Sequence, residues 1–191
     1  RRGASRAEAV AALSQGWAVN VRMGELETAE HTRDRDLVIT VYFEQRTGSA
    51  STSDYGPASI KETVQAACNI ASHTEAEQCN GLADQERLAT EFPDLDLYHP
   101  WLPSVDEART LAVACEQAAL EHDDRIENSE GATATSHEGY EVYATYTGFL
   151  GKSRKTRHGI SCSVIGQGQD GMQRDYWYSS ARRKDQMDSP E

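Results

Sequence analysis

The sequence predicts an α+β protein with largely antiparallel sheet meanders and two amphipathic helices packed on them. Apolar and polar residues alternate through 36–44, which is the period of two typical of a strand, and similar patterns recur on both sides of two helix-like stretches. The order of strands, two helices and strands favours an α+β fold with an antiparallel sheet.

The first group of strands lies before residue 54. Residues 7–13 fit a helix or a strand, because alanine favours a helix whereas the short length favours a strand. Residues 1–6 are expected to be the tail of a helix or a linker. Further strands are predicted at 17–23, 25–32, 36–44 and 46–53. Turn residues are expected at Ser14-Gln15-Gly16, Gly24, Arg33 to Asp36 and Thr47-Gly48.

Two helices are expected in the middle of the chain. The first begins at Pro57, which a first helical turn tolerates, and ends near His73. Its buried stripe is predicted to comprise Ile60, Val64, Ala67, Cys68 and Ala71. The second begins at Ser104, whose spacing to Glu107 matches a capping box. Its buried stripe is predicted to comprise Leu111, Cys115, Ala118 and Ala119.

The segment between the helices, residues 74–103, is expected to be an irregular arm with at most one turn of helix over 84–89. Three prolines exclude a long element, but the apolar side chains are too numerous for a free linker. The arm is therefore predicted to pack over the surface or, in a longer protein, on a neighbouring domain or subunit. Strand patterns resume at 125–129, 133–137, 140–146, 159–165 and 172–179.

Composition narrows the classes of function. The formal net charge of -12 works against non-specific attraction to nucleic acid, so direct nucleic-acid binding is disfavoured. No apolar run is long enough to span a bilayer, and no secretory signal pattern is visible. Four irregularly spaced cysteines indicate reduced core thiols in a cytoplasmic protein. They are Cys68, Cys79, Cys115 and Cys162.

Two motifs match functional patterns only formally. Residues 166–171 read G-x-G-x-x-G, but the strand-like cluster Tyr176, Trp177 and Tyr178 follows where a dinucleotide site needs a helix, so a glycine-rich hairpin is predicted. His137-Glu138 begins like a zinc peptidase motif, yet no second histidine follows at the required helical spacing.

The other candidate groups have structural interpretations. Two groups of cysteines and histidines lack the compact spacing of a zinc site: Cys68, His73 and Cys79, and separately His158 and Cys162. They are interpreted as core thiols and surface imidazoles. Ser49, Ser51 and Ser53 alternate along a strand and are expected to share a solvated face rather than supply a nucleophile. The basic residues 152–158 are expected to form a solvated face, with contact to a subunit, an acidic peptide or nucleic acid as alternatives.

Several stretches carry a resemblance to a known family. RMGELETAE and DLVITVYFEQRTGSASTSD resemble the amino-terminal half of PmbA/TldE proteins of the TldD/PmbA family, which are described as modulators of DNA gyrase and as metallopeptidase subunits. Further similar stretches follow in the family's order: SIKETVQAACNIASHT, PDLDLYHPW, DEARTLAVACEQAAL, TRHGISCSVI and GMQRDYWYS. The resemblance favours a strand at 7–13.

The resemblance also implies a division into domains. It indicates a PmbA/TldD-type amino-terminal α+β domain over 1–181 and a linker over 182–191 towards a carboxy-terminal domain missing from this sequence. In the family, the peptidase zinc is expected on a His-Glu-x-x-x-His helix of the TldD-type subunit. This sequence contains no such motif, so no catalytic, cofactor-binding or metal-ligating residue is assigned in this segment.

The function implied is that of a non-catalytic, cytoplasmic PmbA/TldE-like subunit that pairs with a TldD-type zinc metallopeptidase subunit, or with itself, in proteolysis of unfolded peptides. An extended substrate is expected to add to a free strand edge. The alternative is a regulatory module that binds DNA gyrase. An autonomous enzyme is least favoured, because no set of acid, base and nucleophile is evident.

Overall fold

The computed structural model describes residues 3–169 and 171–190. Four residues lie outside this description: Arg1, Arg2, Asp170 and Glu191. Parts of the predicted amino-terminal segment, of the predicted glycine-rich hairpin and of the predicted linker therefore also lie outside the described residues. The strands are β1 Arg6–Arg22, β2 Glu25–Phe43, β3 Arg46–Thr52, β4 Ile126–Thr145, β5 Leu150–Gly168 and β6 Gly171–Ala181. The helices are α1 Pro57–His73 and α2 Val105–Glu121, with single 3-10 turns at Gln85–Arg87 and Lys184–Gln186.

The strands form one antiparallel sheet in the order β3-β2-β1-β4-β5-β6, which confirms the predicted α+β fold. The described residues divide into two compact units. Unit 1 comprises 3–14, 34–95 and 139–154, and unit 2 comprises 15–33, 96–138 and 155–190 apart from residue 170. Each unit contains one of the two helices and its own core.

In unit 1, helix α1 packs on β2 through small and aliphatic residues. Its buried core consists of Ile39, Val41, Ala67, Cys68 and Ala71, with Ile60 and Val64 partly buried beside them. The predicted stripe of α1 is therefore confirmed. Asp54 accepts hydrogen bonds from the Gly56 amide (2.8 Å) and the Ser59 hydroxyl (2.6 Å), which fixes the segment that enters the helix.

In unit 2, helix α2 packs on β1, β4 and β5. The buried core consists of Val21, Ala112, Ala132, Ala134 and Cys162. The capping box is confirmed, since the Glu107 amide donates to the Ser104 hydroxyl (3.2 Å) and the Ser104 amide donates to the Glu107 carboxylate (2.7 Å). The predicted buried stripe of α2 was wrong in its centre. The buried residues of the helix are Ala108, Ala112 and Glu116, whereas the predicted residues are only partly buried: Leu111, Cys115, Ala118 and Ala119.

Several predicted turns were wrong, because the strands are longer than their apolar patterns. Ser14-Gln15-Gly16 lies inside β1, and Arg33 to Asp36 lies inside β2, where every residue is exposed and carries no apolar signal. A Cβ on Gly16 would come within 2.9 Å of the Ser136 carbonyl oxygen, so this glycine permits close approach of a neighbouring strand. The strands predicted at 125–129, 133–137 and 140–146 likewise form one strand, β4.

The hairpin turns are set by residues with positive φ. Met23 (φ 51°) and Gly24 (φ 78°) connect β1 and β2, which confirms the turn at Gly24 and matches a two-residue hairpin. The turn predicted at Thr47-Gly48 was wrong, because β2 ends before Glu44 (φ 58°) and both residues lie in β3. A Cβ on Gly48 would clash with the backbone of Ala67 and Ala71, so the glycine allows α1 to approach β3.

Candidate interaction edge

Strand β6 forms one edge of the sheet and pairs only with β5 among the described residues. Its register places His158 opposite Ala181 and Gly168 opposite Gly171. The glycine-rich segment thus connects two antiparallel strands, as the sequence predicts, although Asp170 lies outside the described residues. An edge strand presents backbone N–H and C=O groups to which another chain can bond.

The side of β6 that faces β5 is fixed by polar side chains. Arg174 forms an ion pair with Glu130 (2.6 Å) and donates to the Ser163 hydroxyl (3.3 Å). Near the other end, Arg157 donates to the Ser180 hydroxyl (2.9 Å), and this hydroxyl donates to the His158 carbonyl oxygen (3.2 Å). These contacts hold the strand in place. No other strand of the described residues pairs with its outer side, and near its end the Asp188 amide donates to the Ser179 hydroxyl (2.9 Å).

Three consecutive aromatic residues of β6 are exposed. Tyr176 is 64% exposed, Trp177 78% and Tyr178 60%. The pairing of Trp177 with Cys162 places it on the face that carries α2, whereas Tyr176 and Tyr178, opposite Ser163 and Ser161, point to the other face. Tyrosine and tryptophan are enriched in protein interfaces and dominate their binding energy. Both faces of this edge therefore carry side chains suited to contact with another polypeptide.

A buried histidine attaches the arm to the sheet in unit 2. His158 is fully buried and forms hydrogen bonds through Nδ1 with the Ser136 hydroxyl (2.8 Å) and through Nε2 with the His99 carbonyl oxygen (2.8 Å). The interpretation of His158 as a surface imidazole was therefore wrong. Trp101 of the arm packs edge-on against His158 with ring centroids 5.5 Å apart.

The Ser136–His158 pair resembles a nucleophile and its base, but its surroundings indicate a structural role. Ser136 is only 6% exposed, and its hydroxyl also lies 3.1 Å from the Trp101 carbonyl oxygen. The adjacent cavity, beside Trp17 and Trp101, has a volume of about 20 Å³, which is room for about one water molecule. A peptide substrate cannot reach this serine in the structure.

The arm has further contacts with β5. The Thr156 amide donates to the Leu97 carbonyl oxygen (2.9 Å), and the His99 amide donates to the Thr156 hydroxyl (2.9 Å). Outside β5, Lys184 in the 3-10 turn after β6 places its ammonium 4.9 Å from the centre of the Trp101 ring. The predicted packing of the arm over the surface is therefore confirmed for its last part, and the single predicted helical turn corresponds to Gln85–Arg87.

The cysteines occupy three environments. Cys68 and Cys162 are buried in the two cores, as predicted, whereas Cys79 is exposed on the irregular arm, so its interpretation as a core thiol was wrong. Cys115 is half-buried, and a hydrogen bond with the Cys162 thiol lowers the pKa of Cys115. The same bond and burial raise the pKa of Cys162. All four are free thiols.

Within residues 3–169 and 171–190, no group of three or more His, Cys, Asp and Glu side chains is placed to hold a metal ion. His137 and Glu138 lie in β4, and the basic residues 152–158 lie in β5, where Thr156 and His158 are buried and the others are exposed. None of the described helices is long and apolar enough to span a bilayer.

The burial of Glu116 and of His158 was not predicted from the sequence. Glu116 is fully buried and accepts hydrogen bonds from the amides of Met23 (2.9 Å) and Gly24 (2.7 Å). Nothing local to α2 indicates that a distant hairpin supplies these donors. His158 could have been found, because the strand period that buries Ile160 and Cys162 extends to His158 and Thr156.

Two family models match the chain in succession. The PmbA/TldA metallopeptidase domain 1 matches residues 7–71, and the PmbA/TldA metallopeptidase central domain matches residues 98–191. The metalloprotease PmbA homolog of Haemophilus influenzae is 45% identical over 98% of this chain, and the metalloprotease PmbA of Escherichia coli O157:H7 is 44% identical over 97%. The chain spans 42% and 41% of the lengths of these two relatives.

Solved structures share the fold. A Bacteroides thetaiotaomicron protein described as a modulator of DNA gyrase superposes with a TM-score of 0.88 at 21% identity, over 98% of this chain and 43% of its own. TldE from Thermococcus kodakarensis gives 0.75 at 15% identity, over 95% and 41%. From the two family models and the identity to PmbA relatives along nearly its whole length, this chain belongs to the PmbA/TldD metallopeptidase family.

Proposed function

We propose that this chain is the amino-terminal part of a PmbA/TldE-like subunit that pairs with a TldD-type zinc metallopeptidase subunit and helps it act on unfolded peptides. The catalytic zinc belongs, in this proposal, to the partner subunit, and the present segment shapes or binds the substrate. The relatives named metalloprotease PmbA and the TldE structure support the assignment. Four free thiols support a cytoplasmic location.

The outer edge of β6 is the observation that carries the proposal. An unfolded peptide laid along Gly171–Ala181 would form main-chain hydrogen bonds without demands on its sequence. Side chains of the added strand alternate between the two faces, where Tyr176 and Tyr178 on one side and Trp177 on the other would contact them. Such a site would select a peptide by its length and extended conformation rather than by particular residues in its sequence.

The test uses the full-length protein, co-expressed with its TldD-type subunit and assayed with an unfolded peptide. We expect Trp177→Ser to raise KM about tenfold, which corresponds to about 1.4 kcal/mol of binding free energy. The matched control is Tyr146→Ser, since Tyr146 is 58% exposed but lies outside β6. Equal KM and equal complex formation for Trp177→Ser and the unmodified protein would defeat the proposed role of β6.

A second candidate function is binding to DNA gyrase, suggested by the description of the Bacteroides relative. The exposed rings of β6 also suit the surface of a folded partner. This function predicts direct binding of the full-length protein to purified gyrase, weakened by Trp177→Ser. Absence of binding at micromolar concentrations would exclude it.

A further inference from the structure

Two cysteines of unit 2 lie in contact although they are distant in sequence. Cys115 is on α2 and Cys162 is on β5, and their thiols share a hydrogen bond. Cys162 belongs to the buried core of the unit, and the half-buried Cys115 packs against that core. Both are free thiols. The proposed function gives this pair no role.

The surrounding core brings α2 close to the sheet. The residues buried beside the two cysteines are mostly alanines, Ala112 on α2 and Ala132 and Ala134 on β4. Because alanine side chains are short, a helix that packs through them lies near the strands beneath it. A disulfide needs Cα atoms about 4.4–6.8 Å apart, which such close packing between a helix and a sheet favours.

The two thiols differ in access and in acidity. Cys115 is half-buried, whereas Cys162 is only 8% exposed. The hydrogen bond between the thiols lowers the pKa of Cys115, and the same bond together with burial raises the pKa of Cys162. Because the thiolate is the nucleophile in thiol–disulfide exchange, Cys115 is the thiol suited to react first. Cys162 is placed to attack the product of that reaction.

We propose that Cys115 and Cys162 form a reversible disulfide by exchange with a small disulfide such as glutathione disulfide. The Cys115 thiolate attacks one sulfur of the small disulfide, whose S–S bond breaks and releases one glutathione. The Cys162 sulfur then attacks the Cys115 sulfur, the mixed disulfide breaks, and the second glutathione leaves. The two protons of the protein thiols end on the two glutathiones. The protein is thereby oxidised by two electrons, and glutathione disulfide is reduced by two.

The bond would join α2 to β5 across the core of unit 2. In the register of β5 and β6, Cys162 lies opposite Trp177, so the cross-link would form beside the edge strand. Disulfides of cytoplasmic proteins are usually transient and redox-sensing. In the proposed cytoplasmic location, we therefore expect the pair to be reduced in a thiol-rich buffer and oxidised when small disulfides are in excess.

Peptide mass spectrometry of the full-length protein tests the pairing. The protein is incubated with excess glutathione disulfide, its remaining thiols are alkylated, and the digest is analysed without reduction. We expect a linked pair of peptides that contains Cys115 and Cys162 in at least half of the protein. Excess reduced glutathione should remove this link.

Single substitutions test the order of the two steps. Cys162→Ala, which suits the alanine-rich core, should leave Cys115 as a mixed disulfide with glutathione. With Cys115→Ala, the buried Cys162 should stay reduced. Two cysteines of unit 1 are controls in the same digest: the exposed Cys79 should give only a mixed disulfide, and the buried Cys68 should stay reduced.

The inference is overturned if Cys115 and Cys162 both stay reduced in excess glutathione disulfide, or if either pairs mainly with another cysteine. It is also overturned if Cys115 of Cys162→Ala is as unreactive as Cys68. The digest of the unmodified protein decides the pairing even where a variant fails to fold. These measurements do not involve peptide cleavage, so failure of this inference is distinguishable from failure of the proposed function.

Discussion

Units 1 and 2 each place one helix on a group of strands, but they use different contacts. In unit 1, the approach of α1 depends on the absence of a side chain at Gly48, and the core around it is aliphatic. In unit 2, α2 brings the carboxylate of Glu116 into the interior, and a histidine and a tryptophan hold the arm. Apolar periodicity therefore describes the first unit well and the second only in part.

The largest effect is expected in unit 1, from Gly48→Ala. The added Cβ would clash with helix backbone, which cannot move without displacing α1, and we expect the free energy of unfolding to fall by about 3 kcal/mol. Urea denaturation measures the loss. Gly168→Ala is the control, because its Cβ would meet nothing closer than 3.7 Å. An equal loss of unfolding free energy in both variants would contradict the inference that the packing of α1 requires glycine at position 48.

In unit 2, His158→Leu should lower the free energy of unfolding by about 2–3 kcal/mol, because it removes the hydrogen bonds of the buried imidazole to the His99 carbonyl oxygen and the Ser136 hydroxyl. Amide exchange of His99, whose N–H donates to Thr156, should accelerate as the arm loosens. His137→Leu, at an exposed position of β4, should change stability by less than about 0.5 kcal/mol. Unchanged exchange at His99 would show that His158 does not hold the arm.

The buried carboxylate of unit 2 can be tested with Glu116→Gln, which preserves shape and removes the charge. Hydrogen bonds to charged groups are stronger than neutral ones, so we expect a loss of about 1–2 kcal/mol in unfolding free energy. Thermal and urea unfolding measure it. Glu121→Gln, on the exposed last turn of α2, is the control and should have almost no effect.

The smallest effect concerns a polar group in unit 1, where Glu8 accepts hydrogen bonds from Tyr42 (2.8 Å) and Tyr143 (2.6 Å). Burial and the bond to Glu8 raise the pKa of Tyr42 from 10.0 to about 12. Because the raised pKa favours the protonated phenol in the folded state, this stabilisation is complete below pH 10 and is lost as pH rises through about 12.

Tyr42→Phe should therefore lower the free energy of unfolding by about 1 kcal/mol at neutral pH and reduce its decline in this alkaline range. Urea denaturation at a series of pH values measures both. Tyr143 shares the same carboxylate and also has a pKa raised to about 12, so some alkaline decline should persist. A decline as steep as in the unmodified protein would contradict the role given to Tyr42.

The sequence predicted the features that depend on local pattern. The start and end of α1, the capping box of Ser104 and the turn at Gly24 each depend on residues close in sequence, and the structure confirms them. Arg33 to Asp36, in the exposed part of β2, could not be predicted as strand, because pairing with β1 rather than their own side chains makes them part of the strand.

The candidate edge was predictable in part. Tyr176, Trp177 and Tyr178 stood out as a strand-like cluster, but their exposure follows from the position of β6 at the end of the sheet order. The buried position of Glu116 depends on donors more than ninety residues away in the chain. Periodicity within one element carries no information about such partners.

The proposal that this chain belongs to a non-catalytic subunit is tested most directly by measuring bound zinc and peptidase activity together. The full-length protein and a TldD-type subunit should be purified separately and as a complex, then assayed for bound zinc and for cleavage of an unfolded peptide. The account predicts cleavage by the mixed complex and neither zinc nor cleavage in the full-length protein alone. Zinc and cleavage in that protein alone would contradict it and indicate a TldD-type subunit.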